Sequence, residues 1–182
     1  MNKGVNLNNH IFEYIDRVYK NGDIKYLLSK YIDTNYWLNP LREFFINNSI
    51  ESFTDFNYST CFTMYINSTD NSSKTGTQEF NDFIINNGCM YRVQLQISVI
   101  APYANVKYIK YEYKDGNIQF FSSSSPFCES HLTILNKIKE FLNKFNLQLL
   151  NDEVLSLEIN DVSLELREKN ITVYNCLFED GY

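Results

Sequence analysis

Nine residues from Tyr91 to Val99 alternate strictly between apolar and polar side chains, and this pattern constrains the fold more than any other feature. The apolar members are Tyr91, Val93, Leu95, Ile97 and Val99, and the polar members between them are Arg92, Gln94, Gln96 and Ser98. Successive side chains of a strand point to opposite faces, so a period of two is typical of a strand with one buried and one solvated face. The segment 90–100 is therefore predicted to be the central strand of an antiparallel sheet.

Two further strands are predicted to follow, joined by a tight turn. Segment 105–113 is rich in Tyr and Ile, but midway along it the apolar side chains change from one set of alternate positions to the other. We therefore predict a β-bulge near Tyr108. Asp115-Gly116 is the sequence signal of a two-residue hairpin turn. Residues 118–121 then begin the third strand.

Three short helices are predicted in the first fifty residues, where apolar side chains recur at intervals of three and four. The first spans residues 8–20, and the second begins at Asp23. The third follows Asn39 as the cap and Pro40 as the first helical residue. This part of the chain is thus expected to be mostly helical.

Two more helices are predicted in the rest of the chain. Residues 78–87 form one of them, between Thr77 as the cap and Gly88 as the stop. The longest helix spans residues 126–146 and carries an apolar stripe that is predicted to face the core. The stripe consists of Leu132, Leu135, Ile138, Leu142 and Phe145, and it is widened by Ile134 and Phe141.

The remaining strands are predicted from aromatic and β-branched content or from alternation. They cover residues 56–66, the alternating stretch 162–166 and the last apolar run, 171–178. Helices, then strands, one long helix and further strands indicate an α+β fold in a single domain, residues 1–182. We expect an antiparallel β-sheet of about five to seven strands over residues 56–182, a long helix on one face and an N-terminal helical segment over residues 1–50.

The cysteines and the N-terminus bear on the class of protein. The four cysteines are widely spaced, and zinc ribbons or thioredoxin-like sites need close pairs. The N-terminus lacks the apolar stretch of a secretory signal, so a cytoplasmic protein with reduced thiols is expected. The apolar runs are too short for a transmembrane helix. No metal ligand set and no cofactor are expected.

The sequence contains no recognisable enzyme motif. Cys128 and His131 are spaced to face each other on one helix, but no neighbouring residue would orient the imidazole as a general base. The carboxylate pairs at 152–153 and 179–180 do not converge if they lie on strands, because adjacent side chains point to opposite faces. We therefore expect a protein without catalysis and assign no catalytic residue.

The net charge of −6 lies entirely in the last 32 residues. Residues 151–182 hold eight acidic side chains against two basic ones, whereas residues 1–150 hold 14 of each. The phosphates of a nucleic acid would be repelled there, and a basic protein would be attracted and steered. The alternative is a solvated acidic surface that only aids solubility.

Six segments of the second half of the chain carry a resemblance to a known group of proteins. They are QLQISVIAPY, VKYIKYEYKDG, HLTILNKIKEFLNKFNLQLL, DEVL, VSLELRE and ITVYNCLFEDGY. Residues 88–182 resemble small bacterial immunity proteins of polymorphic and contact-dependent toxin systems. The resemblance covers about half of the chain, leaves out the N-terminal helices and includes no catalytic signature.

The resemblance implies stoichiometric neutralisation of a cognate toxin domain in the cytoplasm. From the acidic charge and the short apolar runs, we expect neither a nucleic acid nor a membrane as partner. The charge distribution adds that the toxin is basic and that acidic residues of the C-terminal part contact it. The candidate partner-binding residues are Glu179, Asp180, Asp152, Glu153, Glu158 and Glu165. We expect Glu179 and Asp180 to emerge at the rim of the sheet. The alternative is a small-molecule-binding or regulatory α+β module whose Tyr-rich sheet forms a pocket wall.

Overall fold

The computed structural model describes residues 3–23, 33–57, 59–68 and 73–179. The helices of this part are α1 (Lys3–Tyr19), α2 (Leu38–Phe44), α3 (Gln78–Asn87), α4 (Glu129–Lys144), α5 (Asp152–Leu155) and α6 (Val173–Leu177). The strands are β1 (Ile50–Ser52), β2 (Cys61–Asn67), β3 (Cys89–Ser98), β4 (Tyr103–Lys114), β5 (Asn117–Ser123) and β6 (Gln148–Leu149).

The strands form one mixed, mostly antiparallel sheet, and the α+β fold is confirmed. Its order is β1-β2-β3-β4-β5, with β6 beside β4, so the alternating segment is the central strand β3 as predicted. β6 alone pairs in parallel, with the first two residues of β4. The strand predicted at 56–66 begins later, at Cys61, and β1 was not predicted.

The predicted hairpin turn is confirmed. Lys114 lies opposite Asn117, so that only Asp115 and Gly116 form the loop. Their φ angles are 52° and 82°, and a type I′ turn needs such positive values at both central residues.

The predicted bulge in β4 is wrong. The register between β3 and β4 is continuous from Cys89 opposite Glu112 to Ile97 opposite Ala104. The change in which alternate positions of β4 are apolar has another cause. The main core covers one face of β4 near its start, whereas α3 covers the opposite face near its end, where Tyr111 packs.

The two faces of the sheet have different covers. One face packs on α1, α2 and α4 and forms the main core, with Phe62, Val93 and Leu95 among its fully buried side chains. The other face packs on α3 at one end and on the C-terminal residues 174–179 at the other. β3 is consequently buried on both faces, and the prediction of a half-solvated strand is wrong. The polar residues expected to meet water are all buried: Arg92, Gln94, Gln96 and Ser98.

The helix predicted to be the longest, α4, lies on the main core as predicted but begins at Glu129, three residues later than expected. Its 16 residues make it one residue shorter than α1. Its buried face is His131, Ile134, Ile138, Phe141 and Leu142. Within the predicted stripe, Leu135 is only partly buried and Leu132 is exposed. The buried face of α4 is thus rotated away from Leu132, the first position of the predicted stripe.

The N-terminal helices bury, wholly or in part, the residues that were predicted to face the core, but they begin at other residues than predicted. α1 begins at Lys3 rather than at residue 8, and it buries Ile11 and Ile15 completely. α2 begins at Leu38, so Pro40 is its third residue instead of its first. The helix predicted after Asp23 lies outside the described residues.

The prediction of strands near the C-terminus is wrong. The segment predicted as the last strand contains α6, and Thr172 begins it with a capping box: the Thr172 hydroxyl accepts from the Asn175 amide, and the Asn175 side chain accepts from the Thr172 amide. Reciprocal capping of this kind fixes the start of a helix. Residues 162–166 form an irregular segment instead of a strand.

Candidate functional site

Four of the predicted partner-binding residues lie on one stretch of chain, which consists of α5 and the irregular segment after it, and all four are exposed to solvent. They are Asp152, Glu153, Glu158 and Glu165. Asp161 and Glu168 on the same stretch are also exposed. We call residues 152–168 the acidic segment. Among the residues that the structure describes, none of its carboxylates forms an ion pair with a lysine or arginine.

The acidic segment is held to the body of the protein by its apolar residues and its main chain. The Asn151 side chain caps α5 by accepting from the Val154 amide at 3.0 Å, and Leu155 and Leu164 are buried. The Ile159 amide donates to the Ile171 carbonyl at 2.8 Å. These contacts fix the backbone and leave the carboxylates in water.

Glu179 lies in a different environment from the one expected. It is only partly exposed, its main chain forms an antiparallel bridge with Ser59, and its Oε1 accepts a 2.7 Å hydrogen bond from Gln96 Nε2. The expectation that Glu179 projects freely from the sheet rim is therefore wrong. Asp180 lies outside the described residues.

Gln96 is the centre of a buried polar network. Asn105 donates to Gln96 Oε1 at 2.9 Å, and the Tyr174 hydroxyl donates to the same atom at 3.4 Å. Lys107 Nζ donates to the Tyr174 hydroxyl at 2.6 Å. Burial, and then the nearby Glu179 carboxylate, raise the pKa of Tyr174, so its hydroxyl stays neutral and can donate to Gln96. The network links the central strand to the surface at Lys107.

A pocket of about 460 Å³ opens at that surface, at a gap in the sheet. β5 pairs with β4 from Tyr108 onward and β6 pairs with it only at Tyr103 and Ala104, so residues 105–107 lie between the two partners. The hydroxyl groups of the wall come from Ser122, Ser123, Ser124, Ser156, Thr172 and Tyr174.

Two opposite charges complete the wall of this pocket, which we call the β4 pocket. Lys107 supplies an ammonium group and Asp152, one of the candidate acidic residues, supplies a carboxylate. No histidine or cysteine lies in the described wall. The arrangement suits the binding of a small polar molecule by hydrogen bonds and charge.

Cys128 and His131 do not act on each other in the way that a nucleophile and its base would. His131 Nδ1 accepts from the Phe127 amide at 3.2 Å, and the Cys128 thiol lies 3.1 Å from the Ser130 hydroxyl. The His131 ring stacks on Tyr108 with ring centres 5.1 Å apart. Burial lowers the pKa of His131 to about 4, so the ring is neutral near pH 7.

A second polar cluster, which no sequence pattern predicted, lies beneath α3. Arg92 is fully buried and donates from Nη1 to Glu51 Oε2 at 3.1 Å and to the Thr75 hydroxyl, and from Nη2 to the Ser73 carbonyl at 3.3 Å. Its guanidinium carbon lies 4.8 Å from the centre of the Phe80 ring. A single arginine ties β1, β3 and the loop before α3 together.

The described residues contain no group of three or more His, Cys, Asp or Glu side chains that would hold a metal ion. Burial raises the pKa of the Cys61 thiol to about 12, so this cysteine remains protonated. None of the helices in the described ranges is both long and apolar enough to cross a membrane. No family model, no curated protein and no solved structure matches this chain.

Proposed function

We propose that this protein binds and neutralises a basic protein domain in the cytoplasm without catalysing a reaction, as an immunity protein does with its cognate toxin. The observation that carries the proposal is the acidic segment, whose exposed carboxylates are held on a fixed backbone without ion pairs to the described cations. The resemblance of residues 88–182 to immunity proteins supports the choice of a toxin as the partner.

The physical argument is one of charge left available for a partner. A carboxylate that is already paired with a lysine contributes little electrostatic field at a distance. The carboxylates of the acidic segment have no such pair among the described residues, so their field can act on an approaching partner. Complementary charge at an interface raises the association rate and selects among partners. Glu158 and Glu165 are the sharpest candidates, because both are exposed and neither lies in a helix. Glu179 contributes to the fold through Gln96 and is a weaker candidate.

The partner is tested first. A basic toxin-like protein encoded beside this one is purified in an inactive form for binding measurements by surface plasmon resonance, and in its active form for activity assays. We expect a one-to-one complex and loss of toxin activity when the two are mixed in equal amounts. If no neighbouring gene product binds, or if binding leaves the toxin active, the proposed function is wrong.

The surface is tested next, with two variants of equal charge change. Glu158→Lys with Glu165→Lys reverses two carboxylates of the acidic segment, and Glu43→Lys with Glu140→Lys reverses two exposed carboxylates elsewhere. We expect the first pair to slow association about tenfold at low salt and to flatten its salt dependence, and the second pair to do much less. Equal effects of both pairs would mean that only net charge matters.

A second candidate function is the binding of a small polar molecule, and the β4 pocket is the observation that favours it. Screening amino acids and polyols by thermal shift would reveal such a ligand. Lys107→Met removes the ammonium group of the wall and is expected to abolish the shift. Binding of a small molecule that depends on Lys107, together with no toxin binding, would favour this function over the first.

A further inference from the structure

β5 forms an open edge of the sheet and exposes a phenylalanine on each of its faces. β4 pairs with one side of β5, and no strand of the described chain pairs with the other side. Phe120 is 56% exposed, and Phe121, whose side chain points to the opposite face, is 39% exposed. Tyr113, on the same face as Phe120, is 38% exposed. Apolar surface thus flanks a row of main-chain groups that have no partner strand.

The two edges of this sheet differ in their protection against pairing with another strand. Edge strands of monomeric proteins are usually short, or carry a charge, a proline or a bulge. β1, at the opposite edge, has only three residues and includes Glu51. β5 has seven residues with no charge, no proline and no glycine, and its register with β4 is regular throughout.

The neutrality of β5 favours a second copy of the chain as the occupant of this edge. The protein has a net charge of −6, yet two β5 strands bring no charged side chain of their own together. A strand from a basic partner would gain no electrostatic attraction from β5, because β5 has no carboxylate to pair with it. The acidic segment and the β5 edge are therefore suited to different partners.

The register with β4 determines how two copies would pair. Lys114 and Asn117 flank the two-residue turn and form a hydrogen-bonded pair, so the odd-numbered residues of β5 direct their main-chain groups to β4. The main-chain groups of Ile118, Phe120 and Ser122 consequently point outward. An antiparallel copy with Phe120 opposite Phe120 sets Ile118 opposite Ser122, and each of these pairs exchanges two N–H···O bonds.

We propose that two copies of this protein associate through β5, antiparallel and in this register, about a twofold axis at Phe120. The two sheets become one continuous sheet, with the Phe120 rings in contact on one face and Phe121 beside Gln119 of the other copy on the opposite face. A single strand pair is expected to bury less surface than the roughly 1,600 Å² of a standard complex, so the dimer is expected to be weak and to depend on protein concentration.

Self-association is measured by sedimentation velocity over a range of concentrations. The mass of the wild-type protein is expected to rise from 21.5 kDa towards twice that value. Phe120→Lys places two ammonium groups opposite each other and is expected to raise the dissociation constant at least about tenfold. Ile46→Lys is the control, because Ile46 is 84% exposed, lies outside β5 and undergoes the same change of charge.

A charge exchange tests the register itself. Phe120→Glu alone is expected to be monomeric, like Phe120→Lys, whereas an equal mixture of the two variants is expected to form a heterodimer. This rescue requires residue 120 to face residue 120 across the axis. Ser122→Pro tests the main chain without removing a phenylalanine, since it deletes an amide that points away from β4 and should weaken the dimer while leaving the circular dichroism spectrum unchanged.

Three results would overturn the proposal. A wild-type protein that stays at 21.5 kDa at millimolar concentration does not dimerise. A dimer that survives both Phe120→Lys and Ser122→Pro uses another surface. A mixture of the Lys and Glu variants that remains monomeric, when each variant alone is folded, excludes the register at Phe120. None of these results bears on the toxin proposal, which depends on the acidic segment.

Discussion

Glu179 and Gln96 are joined by a hydrogen bond of 2.7 Å that connects the C-terminal segment to the central strand of the sheet. Gln96 is completely buried, and within the described part of the chain its amide nitrogen has one other hydrogen-bond partner, the Cys61 sulfur at 3.9 Å. The two residues are 83 positions apart in the chain. The carboxylate of Glu179 thus satisfies a buried donor that would otherwise have only a weak partner.

Replacing Glu179 is expected to destabilise the fold. Glu179→Ala leaves the Gln96 amide buried without a strong acceptor, which costs about 1–3 kcal/mol of the free energy of unfolding. Urea denaturation measures the loss. Glu153→Ala is the control, because Glu153 is exposed and a surface change of this kind stays within about 0.5 kcal/mol. Equal stability of the two variants would show that Glu179 does not support the fold.

Glu51 and Arg92 are expected to respond unequally to substitution. Glu51→Ala leaves a buried guanidinium without its carboxylate, and breaking a buried pair in this way costs about 3–5 kcal/mol. Arg92→Met removes the buried charge and leaves Glu51, whose side chain is 21% exposed, able to meet water. The methionine variant should therefore lose less stability.

The same urea measurements test this order. Glu112→Ala breaks the more exposed pair with Lys110 and serves as the control, with an expected loss below about 1 kcal/mol. A larger loss for Arg92→Met than for Glu51→Ala would mean that the arginine stabilises the fold mainly by packing on Phe80.

Two leucines on α4 are expected to differ in the same experiment. Leu142 is 2% exposed and lies in the main core, so Leu142→Ala should cost about 2–5 kcal/mol. Leu132 belongs to the same predicted stripe but is 47% exposed, so Leu132→Ala should cost less than about 1 kcal/mol. Similar losses at both positions would contradict the orientation of the helix.

The parts of the fold that the sequence predicts well are those fixed by local signals. The alternation in β3, the Asp115-Gly116 turn and the helix between Thr77 and Gly88 each depend on residues within a few positions of one another. The prediction of a strand at 171–178 was wrong because apolar residues at short spacing fit either a strand or a helix. The capping box around Thr172 stabilises the helix.

The candidate site was harder to predict because it depends on contacts between distant residues. Gln96 and Arg92 alternate with apolar neighbours and so were expected in water. Their burial follows from α3 and the C-terminal residues, whose positions depend on the whole fold. Glu51 lies 41 positions from Arg92, and nothing in either local sequence indicates the other. The exposure of Glu158 and Glu165, in contrast, agrees with the usual behaviour of isolated carboxylates.

His131 is expected to make the stability of the protein depend on pH. Burial lowers its pKa to about 4 in the folded state, against 6.5 for an ordinary histidine. As pH falls from 6.5 towards 4, the unfolded chain binds a proton that the folded chain does not, so the free energy of unfolding decreases. Above pH 6.5 the neutral His131 makes its full contribution to the free energy of unfolding.

The variant His131→Gln removes this titration and is expected to flatten the dependence of the urea midpoint on pH between 6.5 and 4, whatever its effect on stability near neutral pH. His10→Gln is the matched control, because His10 is exposed and its ring forms a 3.3 Å hydrogen bond with the exposed Glu13. Each variant differs from the wild type at a single histidine, so the difference between the two variants isolates His131. If both variants keep the slope of the wild type, the pKa of His131 is the same in the folded and unfolded states, and burial does not lower it.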